Sequence, residues 1–274
     1  MPKITVVIAT MNVEGIIQET LDSIIAQTFT DFEIIIVDGG STDGTLEILA
    51  AYESHVSRII QGPDEGIYDA WNKATQFVNS DWVQYLGAGD ILANKDVYQN
   101  IVGYLDMAKD DRTIVYGNLE LISNNTGKKF EFVSISPDDI ASKLVDGRPV
   151  TPVHPETFSH IRAIKKFGFD KTYRFAADFK FMLQAFNEKP PLHVDLTITH
   201  MLVGGMTTQK KNLLDIYLEQ QRVMRELNIK IPKIYAIPYY FYLRMKYVIC
   251  KHLSPKALRN LTNLKRILIG KNSY

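Results

Sequence analysis

The fold class this sequence predicts is α/β, with a Rossmann-like, mostly parallel, doubly wound sheet flanked by helices. Three observations predict it. Short apolar, β-branched runs of buried-strand type recur at residues 4–9, 34–37, 56–60 and 82–86. Amphipathic or helix-forming stretches separate them, and this alternation is the signature of parallel βαβ units. Three of the runs also end in polar residues, namely Thr10 and Asn12, Asp38, and Asp90. Right-handed crossovers bring those ends to one edge of the sheet, where ligand crevices of open α/β sheets lie.

The elements follow in order. Residues 14–27 read as a helix with Ile17, Leu21, Ile24 and Ile25 on one face. After the second strand, Gly39 and Gly40 permit a sharp turn, and Ser41, Thr42 and Asp43 offer N-cap chemistry for a helix through Leu46, Ile48 and Leu49. Asp38 at the strand end reads as a ligand contact, with turn capping as the alternative; for Asp43 a cap and a ligand contact both stand. The stretch 61–66 is turn chemistry and 67–77 is helical. Beyond residue 90 the alternation weakens. A helix is expected over 97–107, hairpin strands over 113–118 and 129–133 around a turn at 124–127, and a short helix over 137–144. Residues 151–158 form a Pro-rigid loop carrying His154. A helix starts near Asp178, a strand covers 192–200, and a helix covers 213–227.

The 274 residues suffice for one large α/β domain with an appendage. With 46% hydrophobic and 23% charged residues, disorder is not expected. A formal net charge of +0 gives no argument for nucleic acid, and none is expected as a partner. A single cysteine, Cys250, excludes an intrachain disulfide and suits a reducing compartment. Met1-Pro2-Lys3 runs straight into a strand, so a signal peptide is not expected, and without an uninterrupted run of about 18 apolar residues neither is a conventional membrane span.

Four blocks carry a resemblance: residues 4–12, 36–45 (Ile-Val-Asp-Gly-Gly-Ser-Thr-Asp-Gly-Thr), 63–74 (Pro-Asp-Glu-Gly-Ile-Tyr-Asp-Ala-Trp-Asn-Lys-Ala) and 85–90 (Tyr-Leu-Gly-Ala-Gly-Asp). Together they resemble the inverting family 2 glycosyltransferases of GT-A fold, in the branch of bacterial exopolysaccharide, colanic-acid-type and O-antigen biosynthesis. The resemblance spans roughly residues 3–208 and ends on Gly204-Gly205-Met206-Thr207-Thr208. It implies a catalytic domain over 1–208, divided into a nucleotide-binding half at 1–92 and an acceptor-side half at 93–208. A C-terminal helical extension covers 209–274.

The resemblance further implies a nucleoside diphosphate sugar donor, a UDP- or GDP-sugar, and a glycan or lipid-linked glycan acceptor. Thr10, Asn12, Asp38 and Asp43 fall on the nucleoside side. Asp64 and Asp69 fall along the nucleotide or sugar, Asn72 and Lys73 near the diphosphate, and Gly89 and Asp90 where a divalent cation, Mg²⁺ or Mn²⁺, meets the donor. An exposed helix face is the alternative for Asn72 and Lys73, and a first-turn acid favoured by the helix dipole for Asp69. Relatives place two acids where this chain has Gly87 and Gly89, leaving Asp90 with His154 as the expected metal contacts; a helix cap and a structural histidine are their alternatives. Asp178 stands where relatives carry the catalytic base, which takes the acceptor hydroxyl proton as its oxygen attacks the anomeric carbon; its alternative is an N-cap. His200 is a further donor-site candidate, or a structural strand-end residue.

The tail interleaves Tyr and Phe over 234–250 with Arg244, Lys246, Lys251, Lys256, Arg259, Lys265, Arg266 and Lys271. Such helices suit an anionic membrane surface, which implies a cytoplasmic protein peripheral at the inner face of the cell membrane. Packing on the catalytic domain or on a second subunit of a homodimer is the other reading. Two other functions fit the fold. A sugar nucleotidyltransferase is disfavoured because residues 10–15 hold no Lys or Arg for a triphosphate. A catalytically weak nucleotide-sugar-binding subunit is kept open by the glycines at 87 and 89.

Overall fold

The computed structural model describes residues 1–123, 129–133, 135–142, 144, 145, 148–203, 212–230 and 233–252. The turn at 124–127, the segment 204–208 and the basic positions beyond 252 lie outside them. The chain divides into two compact units, Met1–Val203 and Gly204–Tyr274.

The first unit opens with β1 (Ile4–Thr10), α1 (Ile17–Ile25), β2 (Phe32–Asp38), α2 (Thr45–Ala51), β3 (Arg58–Gln61), α3 (Ile67–Thr75) and β4 (Trp82–Gly87). There follow β5 (Asp90–Leu92), α4 (Val97–Ala108), β6 (Ile114–Ser123), β7 (Lys129–Val133), α5 (Pro137–Ser142), β8 (Leu144–Val145) and β9 (Arg148–Pro149). A 3-10 turn at His154–Glu156 leads to β10 (Thr157–His160), α6 (Ile161–Phe167), α7 (Ala177–Glu188) and β11 (Leu192–Val203).

Among the described residues nine strands form one mixed sheet in the order β3-β2-β1-β4-β10-β6-β11-β5, with β7 on β6. β3, β2, β1 and β4 are parallel neighbours, as the alternating pattern predicts, and β6 and β11 are also parallel. β10, β5 and β7 run antiparallel to their neighbours. The strands are apolar on both faces because both are covered: on one, Val6, Ile8, Ile34, Ile36 and Leu86 pack with Ile17, Leu21 and Ile24 of α1 and with Tyr98, Ile101 and Leu105 of α4; on the other, the buried Tyr85 meets Trp71 of α3 at 4.6 Å between ring centroids. Each such aliphatic side chain contributes roughly 1.5–3 kcal/mol on burial.

At three places that matter for the site the structure departs from the sequence reading or from one of its alternatives. Residues 157 and 158, taken as the end of a loop, belong with 159 and 160 to a central strand; the run is too short for its period to show, yet all four residues are buried. Asp90 opens β5 rather than capping the next helix, whose N-cap position is Asp96. Asp178 lies in the first turn of α7 but does not cap it, the cap position being Ala176.

In the second unit, α8 (Leu213–Glu226) and α9 (Lys233–His252) pack together, with Tyr217 edge-on to Tyr239 at 5.3 Å between ring centroids. Among the described residues no helix is long and apolar enough to cross a membrane.

Candidate functional site

The parallel register sets Thr10 of β1 opposite Asp38 of β2, and Ala9 opposite Gly87 of β4, so three strand ends share one rim. Asp38 is 0% exposed. Its Oδ1 accepts the Gly40 and Ser41 N–H groups at 3.0 and 2.8 Å, and its Oδ2 accepts the Thr10 and Ser41 hydroxyls at 2.9 and 2.6 Å. Burial alone raises its pKa, but the bonds from Ser41, Thr10 and Gly40 outweigh burial and hold it below the usual carboxylate range. Asp38 therefore organises the turn, as the alternative reading had it.

Around that turn, Asn12 (φ 54) accepts Thr42 N–H on Oδ1 at 2.8 Å, and its own N–H donates to Ser41 Oγ at 2.9 Å. Asp43 Oδ1 accepts the Thr45 hydroxyl and N–H at 2.6 and 3.0 Å, which begins α2, and Oδ2 accepts Glu14 N–H at 3.2 Å. The loops after β1 and β2 are thus laced together.

The next loop touches this turn. A Cβ at Gly39 would stand 2.5 Å from Asp64 Oδ2, so only glycine lets the Asp64 carboxylate lie there. Asp64 Oδ1 accepts Gly66 N–H at 2.9 Å and fixes the entry to α3. Along α3, Asp69 is buried and paired with Lys73 at 3.0 Å and with Lys171 at 3.0 Å. Lys73, then burial, Glu65 N–H and Lys171 set its pKa, which is drawn down to about 2. The Lys73 ammonium also donates to Pro63 O at 2.9 Å. Asn72, expected near a diphosphate, instead clamps a backbone: Nδ2 donates to Phe169 O at 2.7 Å and Oδ1 accepts Phe169 N–H at 3.1 Å. Much of the block at 63–74 therefore grips the segment leading to Asp178.

Asp178 completes the arrangement. Its side chain is 22% exposed, its Oδ1 accepts the Tyr68 hydroxyl at 2.9 Å and Phe179 N–H at 2.8 Å, and its Oδ2 lies 3.4 Å from His154 Nδ1. The His154 ring charge also acts on Asp90. Burial pushes the Asp90 pKa up to about 6, against the opposing effects of His154 and of Gly87 N–H, which donates to Oδ2 at 2.7 Å. One imidazole thus contacts the carboxylate from α7 and acts electrostatically on the carboxylate that opens β5. Contacts run from Thr10 and Asp38 through Gly39 and Asp64 to α3, Asp178 and His154, and separately from Asp90 to Gly87 beside Ala9 of β1.

The His154 segment is held rigidly. Pro155 O accepts buried bonds from Gln84 Nε2 and Thr199 Oγ1, both at 2.7 Å, and Gln84 Oε1 accepts the Tyr98 hydroxyl at 2.8 Å. Glu156 Oε1 accepts Val153 N–H at 3.1 Å, and Thr157 Oγ1 donates to Val153 O at 2.7 Å. Burial raises the Glu156 pKa to about 8, so this acid is neutral at pH 7. The Trp71 ring supports His154 at 5.0 Å, edge to face. The sequence did not mark Tyr68, Gln84, Thr199 or Lys171. A signal existed for Tyr68: with Trp71 and Asn72 it follows an i, i+3, i+4 pattern, so the three share one face of α3.

His200 pairs with Glu120 at 2.8 Å, the structural reading. Gly89 stands at φ +99 and donates its N–H to Thr20 Oγ1 at 2.8 Å; any side chain there is strained, which accounts for an acid missing at this position. Among the described residues no group of three or more His, Cys, Asp or Glu gathers at metal-ligating distance. A single buried carboxylate with a raised pKa, beside an imidazole, still fits a hard cation whose remaining ligands are phosphate oxygens and waters.

The family model described as Glycosyl transferase family 2 matches residues 5–136. A PGL/p-HBAD biosynthesis glycosyltransferase of Mycobacterium bovis is 34% identical over 127 residues, 45% of this chain and 49% of that protein. A UDP-Glc:alpha-D-GlcNAc-diphosphoundecaprenol beta-1,3-glucosyltransferase of Escherichia coli is 26% identical over 125 residues, 45% of this chain and 48% of that protein. The match spans about half the length of these curated relatives. The mannosyltransferase PcManGT of Pyrobaculum calidifontis, solved with GDP-Man and Mn2+, superposes with a TM-score of 0.62 at 17% identity, covering 98% of this chain and 81% of that one. Residues 5–136 are thus similar to the glycosyl transferase family 2 domain, and the chain has the GT-A fold.

Proposed function

We propose that the protein is an inverting glycosyltransferase of cell-surface or extracellular polysaccharide biosynthesis, with residues 1–208 as its catalytic domain. It moves a sugar from a nucleoside diphosphate donor to a glycan or lipid-linked glycan. The observation that carries this reading is Asp178, partly open to solvent, with His154 Nδ1 3.4 Å from its Oδ2 and the buried Asp90 near enough to feel the same imidazole electrostatically. An inverting transfer needs a proton acceptor on the acceptor side and charge stabilisation on the leaving-group side, close together. Asp178, partly open to solvent, takes the proton of the attacking hydroxyl. Asp90 and His154 lie where the departing diphosphate is met, and a divalent cation held by Asp90 would neutralise developing phosphate charge there. Thr10, Asn12, Asp38 and Asp43 shape the nucleoside end of the rim, and Asp64 and Asp69 the edge beside it. The names of the relatives support both kinds of donor, UDP-Glc in one and GDP-Man in another.

A stripe on α9 supports attachment to the inner face of the cell membrane. Ile237, Phe241, Met245 and Val248 follow helical spacing on one face and are exposed, with Arg244 and Lys246 beside them. Flotation with anionic liposomes is lost on removing residues 230–274; equal flotation of both forms removes this part of the reading.

The decisive experiment is turnover of a panel of UDP- and GDP-sugars with Mg²⁺ or Mn²⁺, for the wild type and for Asp178→Asn. The variant keeps donor binding and loses transfer. Retained transfer in it rules out the assigned base. Donor binding without turnover in the wild type favours the non-catalytic binding subunit.

A further inference from the structure

We propose that Tyr68 is a positioning residue for the catalytic base, fixing which oxygen of Asp178 takes the acceptor proton; the inference rests on the function proposed above. The two carboxylate oxygens are in different environments. Oδ1 accepts two hydrogen bonds, from the Tyr68 hydroxyl at 2.9 Å and from Phe179 N–H at 2.8 Å. Oδ2 has His154 Nδ1 at 3.4 Å, beyond a short charge-assisted bond. An oxygen engaged by two donors is a poorer proton acceptor than its partner, so proton transfer goes to Oδ2, on the side shared with His154.

The Tyr68 hydroxyl is itself held in place. The side chain is buried, stacked on Phe169 with centroids 6.1 Å apart and 17° between planes, and edge-on to Trp71 at 5.4 Å. Phe169 in turn is clamped through its backbone by Asn72, one turn along the same helix. Lys171 adds a second tie to that helix through Asp69. Tyr68 therefore presents a fixed donor to a carboxylate that begins α7. Two χ angles separate that carboxylate from the backbone, and it swings if nothing holds it. A base misplaced by about 1 Å loses rate far more than it loses substrate affinity.

The test is steady-state kinetics of Tyr68→Phe, which removes only the hydroxyl and keeps the ring packing. Expected is a fall in kcat of about 10-fold, with donor KM within about twofold of wild type. The same change made in Asp178→Glu, where the longer side chain already leaves the Tyr68 hydroxyl, costs little more than Asp178→Glu alone. A kcat for Tyr68→Phe within about twofold of wild type overturns the proposal, as does a loss that adds in full to that of Asp178→Glu. Asp178→Asn run alongside separates the two levels. Transfer retained in it withdraws the base assignment and the role of Tyr68 with it. Transfer lost in it but intact in Tyr68→Phe withdraws Tyr68 alone.

Discussion

Asn72 separates what the family resemblance implies from what the fold does with the residue. The resemblance sets it near a donor diphosphate, whereas the structure gives both ends of its amide to the backbone of Phe169. Asn72→Ala removes both partners at once. Phe169 is only 5% exposed, so its N–H and C=O lose their bonds where water reaches poorly. Leaving a buried donor or acceptor unsatisfied costs about 1–3 kcal/mol. Relaxation of a loop that starts at Gly168 (φ +59) recovers part of that cost for two groups, so about 2–4 kcal/mol is expected in total. For a domain of this size that is a fall in Tm of roughly 5–12 °C. Because the segment 169–178 carries Asp178, the base proposed above, kcat is expected to fall as well. Donor affinity, measured by calorimetry below the melting transition, stays within about threefold of wild type. The opposite pattern, an unchanged Tm with donor affinity lost by more than about tenfold, refutes the clamp and restores the diphosphate role.

Other perturbations test neighbouring parts of the site. Gly39→Ala drives a Cβ to within 2.5 Å of Asp64 Oδ2 and displaces that carboxylate from the rim; donor affinity by calorimetry falls by about 10-fold, and an unchanged value removes Asp64 from the donor edge. Asp90→Asn, without cation or donor, removes a buried acid whose pKa rises from 3.8 to about 6 on folding. Its ionisation costs stability as pH rises through that window, so the variant is more stable than wild type at pH 7.5, by the order of 2 kcal/mol, and equal to it near pH 3.5. Urea titrations at both values check this, and the same variant loses transfer. His160 behaves with the opposite sign. Burial first, and Arg162 second, lower its pKa from 6.5 to about 4, so wild-type stability is full above pH 6.5 and is lost as pH falls towards 4. His160→Asn keeps an acceptor for Arg162 N–H and flattens that loss, read from urea midpoints at pH 7.5 and 4.5.

The parallel half of the sheet was legible because period and burial agree there. Runs such as Ile34, Ile35, Ile36 and Val37 are apolar at every position, and only a strand covered on both faces calls for that. The shared rim followed from handedness alone. What stayed hidden depends on contacts distant in sequence. β10 is four residues long, and its polar Thr157, Ser159 and His160 carry no strand pattern until β4 and β6 close on them. Asn72, Lys73 and Asp69 look like ligand groups in a one-dimensional motif, yet their partners include Phe169 and Lys171, about a hundred residues on. The carboxylate of Asp38 reads as exposed chemistry at a strand end, but Ser41 and Thr10 take up its lone pairs.

These differences share one cause. A polar residue at the end of a parallel strand can serve a ligand or serve the turn that shapes the ligand's site, and sequence spacing is the same for both. Burial and partner count distinguish them. Asp38, Asp69 and Asn72 have their bonding capacity met inside the protein. Asp178 retains an oxygen without a short partner, and Asp90 is buried at a cost that its neighbours do not fully offset. Groups left in that condition are where binding a substrate returns stability to the fold, and chemistry is expected at those two carboxylates rather than at the satisfied ones.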